Sequence, residues 1–290
     1  MRAYLDIVKK VLEQGVKKAD RTGTGTLAIA GAMFEHDMAE GLPLLTTKKV
    51  PFKVVATELE FFIKGITDKQ WLKDRNCHIW DEWCSPLKIP YDHDEATKKK
   101  MADERDLGPI YGFQWRHFGA DYASYDTNYS GQGVDQLKKL VETIKTNPND
   151  RRMLVCAWNP IQLPEMALPP CHYNFQITVI NGRLNLMWNQ RSVDTMLGLP
   201  FNITNYALLL HLLAKETNLK EGGLIGFLGD VHIYLNHIDG AKEQLTRDPN
   251  LYPLPQIETK NFTSIFNWQH TDTELTGYQS YPKIPFKIAI

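Results

Sequence analysis

The chain has 290 residues, 43% hydrophobic and 23% charged, and its 33 lysine and arginine residues nearly balance 34 aspartate and glutamate residues. That length can bury a large core as one big domain or two ordinary ones. The formal net charge of -1 excludes a global positive field that would mark nucleic acid or an anionic membrane as an obligatory partner.

The start, Met1-Arg2-Ala3-Tyr4-Leu5-Asp6, has no apolar signal core, and no later stretch is apolar for long enough to span a bilayer. A cytoplasmic protein with no membrane partner is expected. Tyr4, Ile7, Val8, Val11 and Leu12 recur at helical spacing and predict an opening helix that ends near Gly15. Arg21 to Thr26, rich in Gly and Thr, reads as loop. A second helix is predicted from about Pro51 to Ile63, and residues 85–106 are polar with little periodicity, a surface insertion. Tyr173, Phe175, Ile177 and Val179 alternate with polar positions, Asn181-Gly182 is a favoured two-residue turn, and Leu184, Leu186 and Trp188 alternate on the return. This predicts a hairpin with one apolar face. An apolar helix over about Ile203 to Leu213 is a candidate to cover it. No repeat or Pro/Gly-rich linker divides the chain, so one α+β domain is expected.

Four cysteines, Cys77, Cys84, Cys156 and Cys171, are too few and too irregularly spaced for a disulfide framework, and none forms a CxxC metal pair. Cys171 stands apart: two prolines stiffen its approach, a strand follows, and Gln190-Arg191-Ser192 closes the hairpin nearby. An arginine beside a thiol can lower its pKa and can also hold a phosphate. A lone cysteine in apolar surroundings is otherwise an ordinary small core residue. Arg21, Arg151, Arg152 and Arg191 all sit in short polar segments beside apolar ones, where guanidinium forks suit a phosphate dianion; for any one of them alone, surface ion pairing is the plainer role. Asn202 is either a helix N-cap or, with donor and acceptor side by side, a reader of a uracil imide edge. Glu58, in an apolar helix, should have a raised pKa, whereas Glu60 is expected to face solvent. Trp80 and Trp83 can wall a flat ring or simply fill core.

Together these segments closely resemble the thymidylate synthase family. The matching runs are Asp20 to Thr26, Ile79-Trp80-Asp81-Glu82-Trp83, Leu107 to Gly112 with Gln114-Trp115-Arg116, Asp150-Arg151-Arg152, Ala167 to His172, Gln190 to Asp194, Gly198 to Ile203 and Gly229 to Tyr234. The resemblance implies an α+β fold whose mixed sheet is covered by helices on one face and forms a homodimer interface with the other. It implies methylation of dUMP to dTMP, with 5,10-methylenetetrahydrofolate as carbon and hydride donor, dihydrofolate as second product and no metal. Cys171 would be the nucleophile, adding at uracil C6. Glu58 would relay protons through water, and Tyr111 would belong to the network around the thiol. Arg21, Gln190, Arg191 and Ser192 would hold the nucleotide, with Arg151 and Arg152 reaching its phosphate from a second subunit. Asn202 would read N3 and O4 of uracil, and His232 with Tyr234 the deoxyribose 3'-hydroxyl. Asp194 would anchor the pterin, with Ile79, Trp80, Trp83, Leu197 and Phe201 around the folate and Lys48 at its tail. Ala289-Ile290 would close over both substrates.

The chain departs from the usual family pattern at Pro51, Phe61, Asn189 and Thr204-Asn205. Asn189 and Thr204-Asn205 are the expected sites of altered active-site polarity and water entry. The rival within the same fold is a dUMP hydroxymethylase, in which water captures the exocyclic methylene. Trp80 argues against it by keeping the site dry. A dCMP-specific relative would favour an acidic side chain at Asn202. A silent nucleotide sensor or an RNA-binding regulator is disfavoured by the intact set Cys171, Glu58, Asn202 and Asp194 and by the near-neutral charge.

Overall fold

Thirteen residues, Arg2–Gln14, form helix α1, which buries Tyr4, Leu5, Ile7, Val8 and Val11 and stops at Gly15. The structure, a computed structural model, describes residues 1–92 and 94–287. Six strands make the main sheet: β1 (Val16–Lys18), β2 (Thr26–Asp37), β3 (Leu154–Cys156), β4 (His172–Ile180), β5 (Arg183–Asp194) and β6 (Lys220–Tyr234). Their order is β1-β2-β6-β5-β4-β3. All neighbours are antiparallel except β5 and β6, so the sheet is mixed. The parallel pair follows from its connection: the chain must return to the same end of the sheet, and a long helix makes that crossover.

The predicted hairpin is β4 and β5, with Asn181 and Gly182 both at positive φ in its turn. Phe175, Ile177, Leu184, Leu186 and Trp188 are fully buried. Trp188 lies against β6 because Gly226 has no side chain; a Cβ there would meet its ring at 2.4 Å.

The remaining helices are α2 (Phe52–Ile63), α3 (Lys69–Lys73), α4 (Glu95–Asp103), α5 (Tyr111–His117), α6 (Gln136–Thr146), α7 (Gly198–Thr217) and α8 (Ile238–Leu245), and a small hairpin pairs β7 (Gln256–Thr259) with β8 (Thr273–Thr276). Helices α1 and α7 pack on β2, β5 and β6, and α2 packs on α7. The outer face carries a transverse row in register, Met33 opposite Phe227, Phe227 opposite Asn189 and Asn189 opposite Asn174. Met33 and Phe227 are 53% and 43% exposed. Among the described residues no helix is long and apolar enough to cross a membrane.

Three sequence expectations change. Helix α7 begins at Gly198, not near Ile203, so Asn202 lies inside it and is not its N-cap. Glu60 is buried: its carboxylate accepts from His270 N at 2.8 Å and Lys64 Nζ at 2.5 Å and meets His270 Nδ1 at 2.7 Å. Burial alone would raise its pKa, but these partners outweigh that and hold it at about 2. Residues 85–106, read from sequence as polar with little periodicity, contain helix α4, which Asp94 caps by accepting from Ala96 N and Thr97 N.

Candidate active site

Cys171 lies where the chain enters β4, beside a register shift between His172 and Asn174. Such irregularities re-aim a strand end. Its N–H donates to Tyr111 Oη at 2.8 Å, and its carbonyl accepts from Arg191 N at 2.8 Å. Arg191 turns its guanidinium back on the proline pair, Nε donating to Pro170 O at 2.9 Å and Nη2 to Pro169 O at 2.8 Å. The prolines therefore serve as acceptors that orient the arginine. The sequence expectation of a lowered thiol pKa does not hold in this state, since burial raises it and outweighs the opposing pull of Arg191, with Asp194 pushing it further up.

Behind the thiol is an aromatic stack. Tyr111 lies on His172 with centroids 4.4 Å apart and on Phe62 at 4.9 Å. His172 Nδ1 meets Tyr206 Oη at 2.9 Å, and Tyr206 stacks on Trp188 at 5.3 Å. Desolvation lowers His172 to about 3 and raises Tyr111 well above its ordinary range. Neither ring changes charge near neutrality, so the stack is a fixed wall.

Glu58 is on α2, partly accessible yet surrounded by apolar groups, and this desolvation lifts it to about 7. Trp80 Nε1 donates to Glu58 Oε1 at 2.9 Å and moderates the rise by favouring the charged form. Trp80 thus has a polar task beside the wall role read from sequence. Because the folded pKa exceeds the ordinary 4.5, the folded state holds the extra proton. The stability associated with Glu58 is present below pH 4.5 and is lost as pH rises through about 7. Glu58→Gln should therefore gain thermal stability relative to the parent across that window, with little difference at pH 4. A melting-temperature difference between Glu58→Gln and the parent that is no larger at pH 8 than at pH 4 would contradict the burial argument.

Gln190 organises the next group. Its Nε2 donates to Asn202 Oδ1 and to Ser192 O, both at 3.0 Å, while its Oε1 accepts from Trp188 Nε1 at 3.2 Å. Asn202 keeps Nδ2 as a donor and one lone pair on Oδ1. Asp194 Oδ1 accepts from Met196 N at 3.0 Å and Leu197 N at 3.2 Å, ordering the approach to α7. His232 pairs in register with Asp194, and its Nδ1 lies 3.1 Å from Asp230 Oδ1. Tyr234 stands edge-on to His232 at 5.3 Å.

Arg21 projects from a loop tied by Asp20, which accepts from Thr22 N at 2.9 Å and Gly25 N at 2.6 Å. Gly23 and Gly25 there have positive φ, which suits glycine. Lys48 is buried, donates to Met196 O and lies 4.9 Å from the Phe286 ring; desolvation lowers it to about 8. Ile79 is 38% exposed, and Trp83, Leu197 and Phe201 are partly buried. Arg151 and Arg152 are exposed and line a separate surface concavity with Asn147, Asn149 and Asp150. Arg152 is held there by Asp150, at 3.0 and 2.9 Å. Within one chain these two arginines do not join the Cys171 group. Ala289 and Ile290 lie outside the described residues.

Asn189 and Thr204, expected as points of water entry, are each tied to a protein partner. Asn189 projects from the face opposite Trp188 and Gln190, where its Nδ2 donates to Asn174 Oδ1 at 2.7 Å. Thr204 Oγ1 donates to Pro200 O at 2.9 Å within α7, and Asn205 is 1% exposed with both amide atoms unpartnered among the described residues. Sequence reasoning passed over Tyr206, Lys69 and Tyr91. Lys69 is buried and donates to Asp81 O, Trp83 O and Met101 O at 2.9, 2.7 and 2.6 Å. No local pattern singles these residues out. Among the described residues no three His, Cys, Asp or Glu side chains gather as a metal site.

The fold and this cluster define a single α+β domain built around a cysteine at a strand entry. The family model for thymidylate synthase matches residues 2–290, and the chain belongs to the thymidylate synthase family. It is 47% identical to the thymidylate synthase of Homo sapiens over 287 residues, covering 99% of this chain and 90% of that one. It is 46% identical to the thymidylate synthase of varicella-zoster virus, covering 99% and 93%. A bifunctional dihydrofolate reductase-thymidylate synthase of Paramecium tetraurelia is 46% identical over 99% of this chain, which spans 61% of that relative's length.

Proposed function

We propose that this chain converts dUMP to dTMP, with 5,10-methylenetetrahydrofolate supplying both the carbon and the hydride and leaving as dihydrofolate. One observation carries the reading most directly: Cys171, held by Tyr111 and Arg191, stands at the entry to β4 next to His172, which pairs with Gln190 on β5, and Gln190 in turn holds Asn202 of α7. In this reading Cys171 Sγ adds to uracil C6, and the electron pair displaced from the C5–C6 bond makes C5 nucleophilic. Asn202 offers Nδ2 to O4 and an Oδ1 lone pair to N3–H. Arg21, Arg191 and Ser192 grip the phosphate, and His232 and Tyr234 receive the deoxyribose. Glu58, near half-protonated at neutrality, passes protons through water. Asp194 anchors the pterin, and Ile79, Trp80, Trp83, Leu197 and Phe201 enclose the folate. Lys48 serves its tail only once it is released from Met196 O, and Ala289 with Ile290 closes the site.

We also read the outer sheet face as the surface that pairs with a second copy, on the strength of the exposed Met33 and Phe227 row. Asn189 and Asn174 then belong to that interface, not to a water path. Arg151 and Arg152 would complete the partner's phosphate site. The chain is read as one cytoplasmic domain in which residues 85–106 are an insertion.

Product identity tests the reading. Purified protein given dUMP and methylenetetrahydrofolate should form dTMP with matching dihydrofolate absorbance, the nucleotide being identified by mass. Trp80→Gly should admit water and divert a measurable share to 5-hydroxymethyl-dUMP with tetrahydrofolate released unoxidised. If the parent protein itself makes mainly the hydroxymethyl nucleotide, the methylating assignment is wrong.

Proton relay gives a second check. Glu58→Gln should lower kcat by roughly 100-fold or more and erase the titration step near neutral pH. Trp80→Phe removes a donor to the charged carboxylate, so that step should move upward. A profile unchanged in both variants would remove Glu58 from the chemistry.

Base choice gives a third. Asn202→Asp keeps an acceptor for Gln190 but presents a carboxyl to the base, so the kcat/KM preference for dUMP over dCMP should fall by about tenfold or more. Unchanged selectivity would remove Asn202 as reader.

A further inference from the structure

Residues 85–106 leave and rejoin the fold at one point: Ser85 N donates to Asp106 O at 2.7 Å and Ser85 Oγ to Glu165 O at 2.7 Å. Buried Lys69 ties this segment to the tryptophan loop, since one ammonium group serves Met101 O on α4 and both Asp81 O and Trp83 O. From this anchored base the segment carries Tyr91 across to two functional side chains. The Tyr91 ring lies nearly parallel to Trp83, with centroids 6.0 Å apart and planes inclined by 10°. Arg21 Nη1 donates to Tyr91 Oη at 3.3 Å, and the same guanidinium stands 5.5 Å from the ring centroid.

We infer that Tyr91 is a positioning residue for both substrates, one ring that sets the Arg21 fork at the nucleotide phosphate and the Trp83 indole at the folate. This deepens the proposed dUMP and folate reading and rests on it. The physical case is one of freedom. Arg21 is an exposed side chain on a loop, and a hydroxyl acceptor with a π face narrows its orientations while leaving other N–H donors for phosphate. Trp83 is partly buried, and a stacked neighbour restricts its tilt. The hydroxyl acts on Arg21, whereas the ring acts mainly on Trp83, so the two effects are separable by substitution.

The experiment compares Tyr91→Phe and Tyr91→Ala with the parent, by steady-state kinetics in both substrates and by calorimetric dUMP binding without folate. Tyr91→Phe should weaken dUMP binding by about threefold through loss of the Arg21 hydrogen bond, with the folate KM staying within about twofold because the stack remains. Tyr91→Ala should also raise the folate KM by about fivefold. For both variants kcat should stay within about twofold, since Tyr91 acts on binding and not on bond making. In an Arg21→Ala background, Tyr91→Phe should have no further effect on dUMP affinity. Additive losses in that background, identical effects of Phe and Ala, or a fall in kcat and melting temperature with both affinities intact would each overturn the inference. A parent protein that neither binds dUMP nor turns over folate sinks the functional reading instead. A working parent with indistinguishable Tyr91 variants sinks only this inference.

Discussion

Cys171→Ser is expected to lower turnover by about 10⁴-fold or more, while dUMP binding stays within about tenfold of the parent protein. A serine hydroxyl occupies the same place but is far less acidic than a thiol, and the aromatic wall behind it offers no base: His172 is driven to about 3 by burial and Tyr111 well above its ordinary range. Nothing there takes the hydroxyl proton. Affinity should survive because the backbone bonds from Cys171 to Tyr111 and Arg191 do not involve sulfur, so the Arg191 guanidinium keeps its orientation on Pro169 and Pro170. Isothermal calorimetry with dUMP and a turnover assay on the same preparation separate the two quantities. Near-normal turnover in the serine variant would end the covalent reading. A loss of nucleotide affinity equal to the loss of rate would show instead that the substitution had disturbed the grip.

Mixing two inactive variants should restore activity. Arg151→Ala alone is expected to lose most turnover, because in the proposed dimer it removes a phosphate contact from both sites. Cys171→Ser removes both nucleophiles. In a hybrid, one site receives the intact Cys171 of one copy and the intact Arg151 of the other, while the second site is doubly defective. Random exchange of equal amounts makes about half of the dimers hybrid, each with one working site, so about one quarter of parent activity should return. The structure motivates the trans assignment: Arg151 and Arg152 are exposed beside Asn147, Asn149 and Asp150, apart from the Cys171 group of their own chain. Subunit exchange confirmed by mass-tagged copies, with no recovery of activity, would place these arginines in cis or outside the site.

Much of the fold was legible from local pattern. The α1 periodicity, its stop at Gly15 and the Asn181-Gly182 hairpin depend on residues only a few positions apart, and short-range geometry is what such spacing encodes. Motif order carried the family resemblance in the same way, because Cys171, Arg191 and Asn202 stand in short distinctive runs.

What the sequence by itself determined was therefore the type of the few elements with clear local periodicity, the family and the candidate chemical groups; β2 and β6, which build the centre of the sheet, were not among them. The tertiary structure alone decided what surrounds each group. Glu58 and Glu60 sit two positions apart on one helix, yet burial drives one to about 7 while His270 and Lys64 hold the other at about 2. Trp80 proved to be a hydrogen-bond donor to Glu58 as well as an apolar surface. Asn189 faced away from Gln190 because alternate side chains in a strand point to opposite faces, and α7 began one turn earlier than its apolar run, taking Asn202 off the cap and into the helix. Periodicity reports which face a residue shares with its near neighbours. The pKa of a carboxylate, the tilt of an indole and the reach of an arginine depend on residues brought in from distant parts of the chain, and only packing specifies those encounters.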